Sequence, residues 1–172
     1  VVVLRFLGGD AMLVRTIMTP RAETIGPDET LEFAATRMRE RGVGALVVCE
    51  GEELLGILTD RDIVVRSTAR GRNPAEADVR SAMTPQLISC RADEDLESAV
   101  RRMEEGAVRR VVVVDEASRA VGMLSVDDIA LRGPPLAGEI IEHVLAPERP
   151  VQRGTWPWWE EALAEGPTAP AP

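Results

Sequence analysis

Two short stretches carry residue types able to hold a ligand. Thr59-Asp60-Arg61-Asp62 and Ser125-Val126-Asp127-Asp128 each set a hydroxyl residue three positions ahead of an acid, directly after an apolar run. One reading is a helix start, in which the hydroxyl caps the helix and the acid bonds back to the capping residue's own N–H. The other is a seat for a phosphorylated sugar. A helix start offers unpaired N–H groups and a positive dipole end to phosphate, and a carboxylate there accepts hydrogen bonds from vicinal ribose hydroxyls. Both readings use the same residues, and the local [ST]-x-x-[DE] pattern is common.

The elements that must position these corners occur twice. Met18-Thr19-Pro20 returns as Met83-Thr84-Pro85, 65 residues on. At that offset Asp28-Glu29 matches Asp93-Glu94, Leu31-Glu32 matches Leu96-Glu97, Arg37-Met38 matches Arg102-Met103, and Val47-Val48 matches Val112-Val113. One inserted residue later, Gly56-Ile57-Leu58-Thr59 matches Gly122-Met123-Leu124-Ser125 and Asp62-Ile63 matches Asp128-Ile129. The chain is a tandem duplication.

In each copy a helix follows the Met-Thr-Pro turn, with Thr30 and Asp95 as N-caps. Leu31, Ala34, Ala35 and Met38 form its apolar stripe, and Leu96, Ala99, Val100 and Met103 repeat it. Ala45–Cys49 and Leu54–Leu58 then read as a hairpin, as do Val111–Val114 and Ala120–Leu124, and a second helix begins at Thr59 or Ser125. The expected fold class is α/β (α+β), two β-α-β-β-α repeats packed as a pseudo-two-fold pair that bury their sheets against each other. The expected boundaries are 12–70 for the first repeat, 71–78 for a linker and 79–132 for the second repeat.

Composition narrows the functions open to such a chain. With 172 residues, a net charge of −9, 28% charged and 45% hydrophobic residues, it can bury a core and is not built to span a membrane. Its acidity and 3% aromatic content argue against nucleic acid as a partner. All 20 basic residues are Arg, which removes Schiff-base chemistry and the Lys-dependent phosphate loop. Cys49 and Cys90 stand far apart, and His143 is the single histidine, so neither a zinc site of Cys/His type nor a conventional catalytic relay can be assembled within one chain. Both thiols read as small apolar strand residues. No enzyme, no metal and no required cofactor are expected.

The run Gly56-Ile57-Leu58-Thr59-Asp60-Arg61-Asp62-Ile63 and its second copy, together with the preceding hairpins and the Met-Thr-Pro segments, resemble the CBS domain. This is the nucleotide-sensing module named after cystathionine β-synthase. Val108–Asp115 is similar to the second-repeat strand of that family, and the resemblance covers about residues 13–132. It implies a pseudosymmetric pair with two clefts, where family members commonly bind AMP, ADP, ATP, S-adenosylmethionine or NAD. It implies that Asp62 and Asp128 hold ribose, and that Thr59 and Ser125 face phosphate.

By the family's cross-repeat pattern, the first cleft combines Thr59 and Asp62 with Arg109 and Val112. The second combines Ser125 and Asp128 with Gly44, Val47 and Arg61. Arg109 and Arg110 suit a phosphate because a guanidinium bonds two oxygens at once. They equally read as a solvated strand end, and Arg61 as a surface partner of Asp60 or Asp127. Where the family often has Pro, this chain has Val47 and Val112, which keep apolar bulk but restore an N–H and loosen the turn. Asp127 sets a second carboxylate beside Asp128, and which cleft binds stays open.

The resemblance implies a cytoplasmic regulator that responds to an adenosine compound such as AMP or ATP, dimerises through its helices, and acts by a ligand-linked change. The alternative is a structural or partner-docking dimer without nucleotide affinity. Gly8-Gly9-Asp10-Ala11 ahead of Met12 looks like a translated ribosome-binding sequence, so Met12 is the expected start, with residues 1–11 as read-through. Val1–Leu7 is too short, and too interrupted by Arg5, for a secretory signal. Residues 133–172 read as a helix over Leu136–Leu145 and a Pro-rich tail with Trp156, Trp158 and Trp159, which either fold back on the module or a dimer partner or form a docking surface for a protein partner.

Overall fold

A computed structural model describes residues 12–85 and 87–132. The expected read-through, the C-terminal helix with His143 and the Trp-rich tail lie outside the described residues.

The elements follow the duplication. They are β1 (Thr19–Pro20), β2 (Thr24–Ile25), α1 (Leu31–Arg41), β3 (Ala45–Glu50), β4 (Glu53–Thr59) and α2 (Asp60–Arg66) in the first repeat. The second contributes β5 (Ser89–Arg91), α3 (Leu96–Gly106), β6 (Arg110–Val114), β7 (Ala120–Ser125) and α4 (Val126–Arg132). Thr30 caps α1 by accepting from the Phe33 N–H, and Asp95 caps α3 by accepting from the Ser98 N–H. Both hairpins slip register at the same place, between Val48 and Cys49 and between Val113 and Val114. The duplication thus extends to a local irregularity of the ladder.

The helix stripes differ in one position. Leu96, Ala99, Val100 and Met103 are all buried, but on α1 only Leu31, Ala34 and Met38 are, and Ala35 is exposed. The first helix buries a narrower face than its periodicity predicts, because Ala35 is too small to reach the core from the flank where Val100 does.

The helix ends also differ. α1 stops at Gly42, in the left-handed region at φ 64°, and α3 stops at Ala107, at φ 50°. An L-residue there costs about 1 kcal/mol that Gly avoids. Ala107→Gly is therefore expected to raise the midpoint of thermal unfolding by a few degrees, read by circular dichroism. A drop in Tm contradicts the account.

The two repeats are not self-contained units. β2, β3 and β4 form one sheet, with β2 parallel and β4 antiparallel to β3. The second sheet runs β1-β7-β6-β5, so the Met-Thr-Pro strand of the first repeat joins the second repeat's sheet, with Thr19 opposite Met123 and Pro20 opposite Gly122. Reciprocally, Thr84 pairs with Ile57 of β4. The cores follow the exchange. Val14 and Ile17 pack with Leu96, Met103, Leu124 and Ile129, whereas Val79 and Ala82 pack with Leu31, Met38, Leu58 and Ile63. The exchange arises because each entering segment finds its apolar pocket and its free strand edge on the other repeat.

Between the sheets lies a third cluster. Val47 and Val112 are fully buried in it, with Val114 and, at its margin, Ala22, Cys49, Leu54, Leu87, Ala120 and Met123. The two sheets bury these faces against each other, as the duplication predicts.

Candidate functional site

Each corner is set where a β-strand runs directly into a short helix. At the first, Thr59 closes β4 and Asp62 lies in the first turn of α2. The Thr59 Oγ1 accepts from the Asp62 N–H at 3.1 Å, while Asp62 Oδ2 accepts from the Thr59 N–H at 2.9 Å and from its hydroxyl at 2.6 Å. The second corner repeats this around Ser125 and Asp128, at 3.1, 3.0 and 2.5 Å. Both capping boxes that the spacing allows are formed, and the helix-start reading holds in full.

What surrounds the two carboxylates differs. Asp62 Oδ1 lies 3.4 Å from an Arg66 guanidinium nitrogen, and Arg66 also donates to the carbonyls of Ala82 and Met83 at 2.8 and 2.9 Å. At the second corner Asp128 Oδ1 accepts from the hydroxyl of Thr19 at 2.9 Å. Arg66 and Thr19 are site residues that the sequence reading missed. Their signal was available only for Arg66, which stands four residues after Asp62 on one helix face.

The remaining candidates regroup. Gly44 belongs to the first corner, since its carbonyl accepts from the Asp60 N–H at 3.2 Å. Arg109 belongs to the second, where its carbonyl accepts from the Val126 N–H at 3.0 Å. These backbone bonds tie each residue to its neighbouring strand-to-helix corner, whatever ligand its cleft would hold. The side chain that crosses is Arg110. A Cβ built on Gly44 would stand 3.6 Å from Arg110 Nη2 and 3.4 Å from Asp60 Oδ2, so glycine leaves that space to a guanidinium and a carboxylate from different repeats.

Arg61 and Arg109 are exposed, and neither makes an ion pair among the described residues. Arg61 meets Asp60 through its backbone, donating its N–H to Asp60 Oδ1 at 2.7 Å. Asp127 is exposed beside Asp128, which is 9% exposed.

Val47 and Val112 correct another expectation. Their restored N–H groups do not loosen the strand. Val47 donates to the Glu23 carbonyl at 2.9 Å and Val112 to the Ile88 carbonyl at 3.1 Å, extending the parallel ladders toward β2 and β5. A proline would forfeit those bonds.

The thiols sit away from the corners. Cys90 on β5 is buried, and burial first, then Glu94, push it up to about 12, against a smaller opposing pull from Arg102. Burial also raises the half-buried Cys49. The native fold should therefore shield Cys90 from a thiol reagent at pH 8 until denaturant is added, and quantitative labelling of Cys90 in the folded protein contradicts this. The sign for stability follows. A thiol held protonated by folding contributes fully below its unfolded value near 9 and loses that contribution as pH rises toward 12. Cys90→Ala should flatten that part of the alkaline fall in Tm.

Among the described residues no group of three or more His, Cys, Asp or Glu is placed to hold a metal ion. No helix among them is long and apolar enough to cross a membrane.

Two sheets, each joined by a segment of the other repeat and each ending in a hydroxyl–carboxylate corner, form a paired fold with the two corners related by pseudosymmetry. The chain belongs to the CBS domain family, whose model matches residues 14–67 and 78–132. It is 36% identical over 118 residues to the CBS domain-containing protein YhcV of Bacillus subtilis, covering 69% of this chain and 83% of that one. The crystal structure of Hypoxic Response Protein I with two coordinated zinc ions is 37% identical, with a TM-score of 0.63, over 72% of this chain and all of that one. The crystal structure of CBSX2 in complex with AMP is 25% identical, with a TM-score of 0.59, over 69% and 93%.

Proposed function

We propose that the chain is a regulatory module that binds an adenosine nucleotide at one or both strand-to-helix corners and changes the surface it shows to a partner. The observation that carries this reading is the crossing of Arg110 from the second repeat to Gly44 and Asp60 at the first corner. A cation from one repeat at the strand-to-helix corner of the other is what an anionic ligand bridging both would need. The AMP complex of a family neighbour supports the ligand class. Asp62 and Asp128 would take ribose hydroxyls, Thr59, Ser125 and Arg110 phosphate, and the buried Val47 and Val112 would wall the base. A nucleotide that touches both repeats favours one arrangement of the two over others, which is the regulatory act. Turnover is not part of the proposal. The likeness to Hypoxic Response Protein I supports a stress-type role for such a regulator.

A second reading, a partner-docking dimer without nucleotide affinity, is favoured by how fully the capping boxes engage Asp62 and Asp128. Phe33, Val64 and Leu131 also stand exposed on α1, α2 and α4, where a second copy would cover them. Isothermal titration with AMP, ATP, S-adenosylmethionine and NAD separates the readings. Saturable heat with any of the four supports the sensor. Silence with all four supports the docking dimer, which native mass spectrometry would then show as a pair of chains.

A further inference from the structure

Resting on the nucleotide-binding reading, we propose that Thr19 is a positioning residue for the second corner. Through it, occupancy of that corner is coupled to the segment entering the first repeat. Thr19 is carried by β1, which the fold places on the edge of the other repeat's sheet beside β7. There its hydroxyl donates to Asp128 Oδ1 at 2.9 Å, on the oxygen opposite the one bonded by Ser125. The carboxylate is thereby oriented from both sides, by the cap from its own repeat and by a hydroxyl 109 residues earlier in the chain.

The segment behind Thr19 is bound to the second repeat along its length. The Leu96 N–H donates to the Met12 carbonyl, the Val14 N–H to the Glu94 carbonyl, and the Arg21 N–H to the Val121 carbonyl. Val14 and Ile17 are buried in the second repeat's core. A ligand hydroxyl drawing on Asp128 therefore draws on a carboxylate that also holds this segment. The first corner supplies a built-in control. Thr84 occupies the equivalent position and pairs with Ile57 through its backbone, yet its hydroxyl makes no bond to Asp62, where Arg66 stands instead. Sequence-identical threonines thus hold unequal places.

The test uses the full chain, with ATP and AMP as probes. Thr19→Val keeps the shape and removes the hydroxyl, and is expected to weaken binding about fivefold to tenfold, the net worth of a typical intramolecular hydrogen bond. Thr19→Ser should return affinity to within about twofold of the wild type, and Thr84→Val should leave it unchanged, on the same scale of effects. A purely structural role is separated by hydrogen exchange. Saturating ATP should slow exchange at the Ile17 and Met18 amides in the wild type and fail to do so in Thr19→Val.

Equal affinity in Thr19→Val and the wild type overturns the inference while leaving the sensor reading intact. So does an equal loss in Thr84→Val, or binding that survives Asp128→Ala and is lost in Asp62→Ala. A wild-type protein that takes up neither probe nor the other two compounds overturns the sensor reading, and this inference with it.

Discussion

Gly56→Ala is expected to destabilise the protein by about 3 kcal/mol, the upper end for forced overpacking. A Cβ at position 56 would stand 2.3 Å from the Thr84 carbonyl oxygen and 3.1 Å from the Pro85 Cα. Neither is the flexible end of a side chain. Both belong to the exchanged segment, whose Thr84 N–H and carbonyl each bond Ile57, at 2.8 and 3.0 Å. Relieving the clash means breaking that pair and lifting Val79 and Ala82 out of the first core. Gly122→Ala should cost less, about 2 kcal/mol, because one of its two closest atoms is the sulfur of Met18. Denaturant unfolding reads both. Wild-type stability in Gly56→Ala would mean that the exchanged segment does not lie where the structure puts it.

The second large effect concerns the two acids, and the structure splits it into two measurements. Removing Asp62 or Asp128 as Ala should cost about 1–2 kcal/mol of stability, since each accepts two bonds within a capping box. Asp128 should sit at the upper end because it is buried and also holds Thr19. Independently, nucleotide affinity should fall by about 100-fold or more at the affected corner, the scale of losing two ribose hydrogen bonds to a charged acceptor. The protein should remain folded in both variants, so titration at equal folded concentration isolates the second effect. A variant that loses stability yet binds as tightly as the wild type would mark that acid as a cap and nothing more.

Much of this was legible because duplication writes its pattern twice. The helix caps and both hydroxyl–carboxylate corners are set by residues within four positions of each other, the hairpins by strands joined through a short turn, and all form as the spacing predicts. The errors lie where a contact joins distant residues. Ala35 belongs to the periodic stripe but is too short for the core that Val100 reaches. Val47 and Val112, expected to loosen their turns for want of proline, instead use the restored N–H groups to hold β2 and β5. Of the two arginines expected to suit a phosphate, Arg110 sets its guanidinium against Gly44 of the other repeat, while Arg109 is exposed. In an alternating strand one position of register decides which face a side chain takes.

The corners with which the sequence began keep both of their readings in the structure, with the cap observed and the ligand seat proposed. By itself the sequence determined the repeated unit, its family, and the local chemistry of Thr59-Asp62 and Ser125-Asp128. Tertiary structure decided which sheet each Met-Thr-Pro segment joins, and therefore that Thr19 meets Asp128 while Arg66 meets the carbonyls of Ala82 and Met83. The physical reason is one of range. Caps and periodicity are satisfied within a turn or two of chain, whereas an edge strand chooses its sheet by where a buried pocket and a side-chain-free glycine let it approach, and both lie on the other repeat.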